Sequence, residues 1–320
     1  PFSALMRALG ARPARARARG VYMLVIMLVA LLSGFALSQA FRTVTAIMAP
    51  DLQASFGLNA RSLGAFAGLF GISFGLAQLL MGVGLDVYGL RRTVLVAQAF
   101  AMGGAVLSAM APSYGWLMLG QLLIGLGCSP AFLACALFIS RHLPADRFAF
   151  YSGLSLGSGG LGLLFTGTPL AWVIARWGWR SGFWLLAALT LISWLLIFVL
   201  VHEPAQREAD GAAAAQGWAS AFAGFARLLA LPHTWGILVL GLSCYAAFLS
   251  LRGLWLGPLL IDRYGFSLVD SGNVAVALSF ISLFTPGVFG RMDPGPRRRR
   301  RWIANSALLM ACLFLVLAVV

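Results

Sequence analysis

Two arginines stand in this sequence where a charge is costly. Arg42 lies within Tyr22–Pro50, an apolar run with no other charge, eight residues before Pro50, and Arg252 lies six residues before Pro258. At 1.5 Å of helical rise per residue, both start about 9–12 Å inside the boundaries those prolines mark. A guanidinium at such depth costs at least about 3 kcal/mol. One explanation is snorkelling, in which the long side chain reaches back to the headgroups. The other is chemical: a planar fork of N–H donors matches a carboxylate or phosphate two bonds at a time, which lysine cannot do. Ser38 and Gln39 precede Arg42 by four and three residues, and Tyr245 and Trp255 flank Arg252 at seven before and three after. These spacings put each pair on its arginine's helical face. Each neighbour can equally be packing. The candidate substrate-binding residues are therefore Arg42, Arg252, Ser38, Gln39, Tyr245 and Trp255, and the substrate they suit is an anion.

The elements that carry these residues must cross a membrane. Of 320 residues 61% are hydrophobic and 10% charged, with a mean hydropathy of +0.90. A soluble domain carries about 25% charged residues. The apolar residues also arrive in blocks long enough to span about 30 Å of hydrocarbon as helix, and most of these blocks have no polar face. The first block runs from Tyr22 to Ala49. It is too long for a secretory h-region of about 7–15 residues and reads as a retained span. Cys128, Cys135, Cys244 and Cys312 fall within apolar blocks and read as small buried residues, not as disulfides or metal ligands.

Nine spans are expected, at roughly 21–49, 63–85, 93–111, 116–140, 150–174, 182–201, 233–260, 271–290 and 303–320. The charges orient them. Net charge is +14, carried by arginine alone, since the sequence has no lysine. With the N-terminus in the cytoplasm, the cytoplasmic segments hold seventeen arginines: Arg7, Arg12, Arg15, Arg17, Arg19, Arg91, Arg92, Arg141, Arg147, Arg207, Arg227, Arg291 and Arg297–Arg301. The outer loops hold four: Arg61, Arg176, Arg180 and Arg263. This asymmetry is the positive-inside signature, and it explains the arginine runs without a nucleic-acid partner.

The chain is expected to divide into residues 1–201, six spans behind a basic cytoplasmic N-terminus; 202–232, a cytoplasmic loop; and 233–320, three further spans. From Gly217 the loop turns amphipathic, with Trp218, Phe222, Phe225 and Leu229 on one face and Arg227 on another. That pattern predicts a helix lying in the inner interface; a simple tether is the alternative. The segments on either side repeat each other. Ser33, Phe35, Ala36 and Arg42 recur as Ser243, Tyr245, Ala246 and Arg252, displaced by 210. Pro50, Phe56, Gly57, Gly64 and Gly82 recur as Pro258, Tyr264, Gly265, Gly272 and Gly290, displaced by 208. Spans one to three thus return as seven to nine in the same orientation, one of the repeat plans of secondary transporters. By that logic three more spans are expected beyond Val320.

Between spans two and three runs Gly82-Val83-Gly84-Leu85-Asp86-Val87-Tyr88-Gly89-Leu90-Arg91-Arg92. Gly89 suits a tight turn, and Asp86 beside Arg91 and Arg92 can bridge to a neighbouring helix terminus. With the six-plus-six repeat, this segment resembles the loop motif of the major facilitator superfamily. Val87 and Leu90 stand where that motif usually has basic residues. A second copy is visible in Gly290, Asp293, Gly295 and Arg297–Arg301. Leu119–Gly127 resembles the family's span-four motif with Gln121 in place of an arginine. Span five, Gly153–Pro169, lacks the proline arrangement of drug/proton antiporters and reads as a close-packing glycine surface, as do Gly64, Gly68, Gly71 and Gly75 of span two.

The resemblance implies an all-α membrane protein, a bundle of two parallel pseudo-symmetric six-helix halves. It implies a gating role for Gly82, Asp86, Gly89, Arg91 and Arg92, and it turns the first helix of each half toward a central cavity, where Arg42 and Arg252 would clamp an anion. The placement also resembles the superfamily's glycerol-phosphate/phosphate exchangers, in which a proline follows the first arginine by eight. The expectation is a monomeric secondary transporter of a small anion in a bacterial inner membrane, working by alternating access, without cofactor, metal or enzymatic activity. A hydrophobic-drug exporter and a non-transporting sensor on the same scaffold are the alternatives. All nine acidic residues and His142, His202 and His233 fall in loops or at span ends, so no proton relay is expected at depth.

Overall fold

The computed structural model describes residues 14–144, 147–166, 168–202, 217–250, 259–266, 268–292 and 294–319. Among them every regular element is helical. The chain forms two compact units, residues 1–148 with 158–215 and residues 149–157 with 216–320.

The first unit contains α1 (Ala14–Phe56), α2 (Ala60–Val87), α3 (Leu90–Ala109), α4 (Tyr114–Cys128), α5 (Ala131–His142), half of α6 (Phe148–Phe165), α7 (Thr168–Trp177) and α8 (Trp179–Leu200). Six segments between Tyr22 and Leu200 are long and apolar enough to cross a membrane. The fourth and fifth are each built from two helices, α4 with α5 and α6 with α7. Pro130 explains the first break, because it has no N–H to continue the ladder and caps α5 instead. Sequence reasoning ended span one near Pro50, but α1 runs through that proline to Phe56. Its 43 residues make a rod of about 65 Å, so Arg42 lies well inside a continuous helix.

In lipid the hydrophobic effect does not drive helices together; close packing and interhelical hydrogen bonds do. The first unit uses both. A Cβ on Gly104 would sit 2.6 Å from the carbonyl oxygen of Gly120, and one on Gly120 2.9 Å from that of Gly104, so α3 and α4 meet backbone to backbone. Gly125 brings α4 equally close to α2, at Phe70 and Ser73. Around these contacts Phe41, Val44, Met48 and Leu52 of α1 pack with Phe66 and Phe70 of α2, Ile124 of α4 and Phe183 of α8 in the buried core. Antiparallel α3 and α8 are joined at three levels. Arg91 Nη2 donates to Phe198 O (2.6 Å), Trp194 Nε1 to Leu95 O (2.9 Å) and Gln98 Nε2 to Ser193 Oγ (3.2 Å).

The second unit holds α9 (Gly217–Ala230), α10 (Pro232–Ser250), a π-helical turn at Leu259–Arg263, α11 (Leu268–Arg291) and α12 (Pro296–Val319), together with residues 149–157 of α6. Helix α9 starts at the Gly217 where the amphipathic spacing begins, and Arg227 on it is exposed. Gly153 and Gly157 lie against the backbone of Pro286 and Leu283 of α11.

Candidate functional site

Helix α1 is tied to its neighbours by hydroxyl and amide groups along its length. Ser33 Oγ bonds Ser193 Oγ of α8 (2.8 Å), and Ser38 Oγ donates to Cys128 O of α4 (3.3 Å). Thr43 Oγ1 pairs with Thr166 Oγ1 at the end of α6 (2.8 Å), and Thr45 Oγ1 accepts from Gln121 Nε2 of α4 (3.1 Å). Gln121, where the resembling motif has an arginine, is therefore a buried helix-to-helix tie at 1% exposure.

Arg42 lies between these rungs, three residues from the end of the apolar stretch Tyr22–Thr45. Its guanidinium carbon stands 4.7 Å from the ring centre of Phe74 and 6.0 Å from that of Phe70. The two rings belong to successive turns of α2 and are nearly parallel, at 22° and 5.9 Å. They form an aromatic shelf for the planar cation. Such contacts reach about 2 kcal/mol when desolvated. Ser38 is 2% exposed and turned into the unit's interior. Gln39 is half-buried, and its Cγ would stand 3.0 Å from a Cβ on Gly159. Arg252 and Trp255 lie outside the described residues, and Tyr245 is on α10 with its side chain likewise outside the description.

The loop between α2 and α3 brings its motif residues together at one end of the unit. Gly89, at φ +83°, is the N-cap of α3 and takes a backbone conformation that a Cβ would strain. Thr93 Oγ1 then donates to Gly84 O (2.8 Å), closing the turn. Asp86 is exposed at the end of α2, with Oδ1 3.7 Å from Arg141 Nη2 in the last turn of α5. Arg91 crosses to α8: its bond to Phe198 O reaches the negative end of that helix, and it also covers the Phe198 ring at 5.0 Å. Arg92 is exposed, and a Cβ on Gly82 would meet only Leu133 at 3.8 Å, so Gly82 is not sterically required here. The departure at Leu90 has a physical reason, since that side chain is buried at 2% exposure.

Sequence reasoning missed Phe70, Phe74, Arg141 and Phe198 as partners. The i, i+4 phenylalanines were visible as a pattern, but nothing in the chain said which helix would bring a cation to them. Among the described residues, no group of His, Cys, Asp and Glu could hold a metal ion.

Long apolar helices, a hydroxyl-tied central helix and a charged inter-helix loop define a multi-pass membrane protein. Residues 30–320 match the family model of the Major Facilitator Superfamily, and the chain belongs to that family. It is 31% identical over 190 residues to the mouse solute carrier family 2, facilitated glucose transporter member 10, covering 57% of this chain and 34% of that one. It is 25% identical over 280 residues to the hexuronate transporter of Bacillus subtilis (strain 168), covering 85% and 66%. The chain thus spans about one to two thirds of the length of these relatives. The solved proton:xylose symporter XylE shares the fold, with a TM-score of 0.60 at 15% identity, covering 87% of this chain and 71% of that one.

Proposed function

We propose that the chain is part of a secondary transporter that moves a small anion by alternating access, with Arg42 holding the anionic group. Its repeat counterpart Arg252 has the same role in the second half. The observation that carries the reading is Arg42 itself, a guanidinium within an apolar membrane stretch, laid on the Phe70–Phe74 shelf. A guanidinium pairs with a carboxylate or phosphate through two parallel N–H bonds, the arrangement in which charge-assisted bonds are strongest. The hexuronate relative, which aligns over most of the chain, handles an acidic sugar.

The two-half architecture rests on the repeat and on matching backbone details. Gly57 and Gly265, a repeat pair, both have positive φ (62° and 69°), and so do Gly89 and Gly295 (83° and 79°), each just before the next helix of its own unit. The proposed division takes the six apolar segments of residues 1–201 as one half, 202–232 as the connecting loop with its helix, and the helices from 233 as the start of the second half. The orientation with the N-terminus in the cytoplasm of a bacterial inner membrane rests on the arginine asymmetry.

The test is uptake by proteoliposomes of the full-length protein, offered labelled hexuronate, phosphate, glycerol phosphate and neutral hexose. Saturable uptake of one or more anions, with hexose excluded, is expected. Hexose uptake without competition from any anion would replace this reading with that of a neutral sugar carrier, as the name of the mouse relative suggests.

A further inference from the structure

The strongest unexplained feature lies away from Arg42. Gln98 of α3 is only 6% exposed, and its amide sits against Gly34 of α1, where a Cβ would collide with it. Its Nε2 donates to Ser193 Oγ; Ser193 contacts Ser33 Oγ, and Ser33 Oγ lies 2.7 Å from Ala30 O. Read as a chain of donors, every proton runs one way: Gln98 to Ser193, Ser193 to Ser33, Ser33 to the carbonyl. The other end of the amide, Oε1, is buried with no hydrogen-bond partner. An unmet carbonyl oxygen in an apolar interior carries its full desolvation cost.

Gln98 also lines a small cavity between α1, α3, α4 and α8, shared with Gly34, Ser38, Cys128 and Thr190. Ser38 has committed its hydroxyl proton to Cys128 O, and Thr190 has committed its own to Leu186 O (2.7 Å). What each can still offer is a lone pair. Beside the Cys128 thiol, a weak donor, the cavity's lining residues offer mainly acceptors: the Gln98 amide oxygen and two hydroxyl oxygens. An anion is excluded, because it brings only more acceptors. A metal cation would meet neutral oxygens with no carboxylate to offset its desolvation. The species that fits is a small neutral donor of two hydrogen bonds, and the free space admits one molecule of water.

We propose that this cavity is a binding site for a single structural water, which donates to Gln98 Oε1 and to Ser38 or Thr190 and so joins α1 to α3 and α8. The proposal is independent of the substrate reading above.

A double-mutant cycle on the full-length purified protein tests it. Gln98 and Ser38 bond different protein partners, and Gln98→Met nearly keeps the side-chain volume, so without a bridging molecule the loss from Ser38→Ala is expected to be nearly the same in either background. With the water, Gln98→Met and Ser38→Ala each release it, and either lowers Tm by about 4 °C. The double variant then falls little further than Gln98→Met alone. Additive losses would overturn the proposal. Sodium-dependent stabilisation, present in the parent and absent from Gln98→Met, would mean a cation site and overturn it too. Should the variants fail to fold, a map of the unaltered protein at about 2 Å decides: an ordered peak within hydrogen-bond distance of the Gln98 amide and of Ser38 or Thr190 is expected. A closed, empty cavity in that map would refute the site.

Discussion

At the scale of single residues, Arg42 and Asp86 are two charges of opposite type whose energetics differ. Arg42 is in an apolar stretch over two rings, and lysine would lose the planar, bidentate fork. Losing a charge-assisted bond of about 1.5–3 kcal/mol weakens binding roughly 10- to 100-fold. Arg42→Lys and, separately, Arg252→Lys are expected to weaken anion binding on that scale while the protein still purifies as a single species. Phe74→Leu is expected to weaken it less, and Phe74→Tyr, which keeps the ring, to restore it. Equilibrium binding of the transported anion to purified protein checks all four. Unchanged affinity in both lysine variants would return Arg42 to snorkelling. The Asp86–Arg141 pair is different, being long at 3.7 Å and exposed, with Asp86 at 72%. Such a pair contributes about 0–1 kcal/mol, too little to hold the fold. A link this weak between α2 and α5 can be made and broken at little cost, as the proposed gating role requires. Asp86→Asn is expected to leave Tm within about 2 °C and to reduce the transport rate several-fold. Reversing the pair, with Asp86→Arg and Arg141→Asp together, is expected to recover much of that rate. A Tm loss that parallels the rate loss would make the pair merely structural.

At the scale of elements, glycine spacing was legible in the sequence but its meaning was not. Spans two and five both carry glycine stripes and read alike. In the structure Gly153, Gly157, Gly159 and Gly162 of α6 each lie where a Cβ would press on a neighbour, Gly162 on the Ala36 carbonyl of α1. Gly64, Gly68, Gly71 and Gly75 of α2 have nothing described within 4 Å of such a Cβ. A stripe reports that a close approach is possible, while only the packing decides which helix makes one. Gly162→Ala is therefore expected to cost several kcal/mol, because the obstacle is backbone and cannot turn aside. Gly64→Ala is expected to be neutral or to raise stability by up to about 1 kcal/mol through helix propensity. Thermal unfolding followed by size-exclusion chromatography separates the two, and equal losses would contradict the packing described. The helices themselves were readable because long uncharged runs admit little else in a bilayer. Their breaks were not: Pro130 divides one crossing into α4 and α5, whereas Pro50 sits inside an unbroken α1. The same residue type stops one helix and is carried by another.

At the scale of the whole molecule, the fold groups the loops by end but does not say which end faces which compartment. In the first unit Asp86, Arg91 and Arg141 gather with the C-terminus of α8 at one end. At another set of loops, Arg180 donates to Ala111 O and covers the Trp179 ring, while Trp179 bonds Ser55. Both sets are chemically competent as membrane faces, so the proposed assignment falls to the arginine distribution, in which the sequence pattern assigns seventeen to cytoplasmic segments and four to outer loops. Arginine in short loops resists translocation, and on the proposed orientation the segments richer in arginine stay in the cytoplasm. Fusions made after Gly211, in the loop following α8, are expected to be fluorescent with green fluorescent protein and inactive with alkaline phosphatase. Fusions after Pro112, between α3 and α4, are expected to show the reverse. The two sites are separated by three membrane crossings, the α4–α5, α6–α7 and α8 segments, so they must report opposite sides in either orientation. Phosphatase activity after Gly211 with none after Pro112 would invert the orientation and leave the fold untouched. Equal activity at both sites would break the six-crossing order itself.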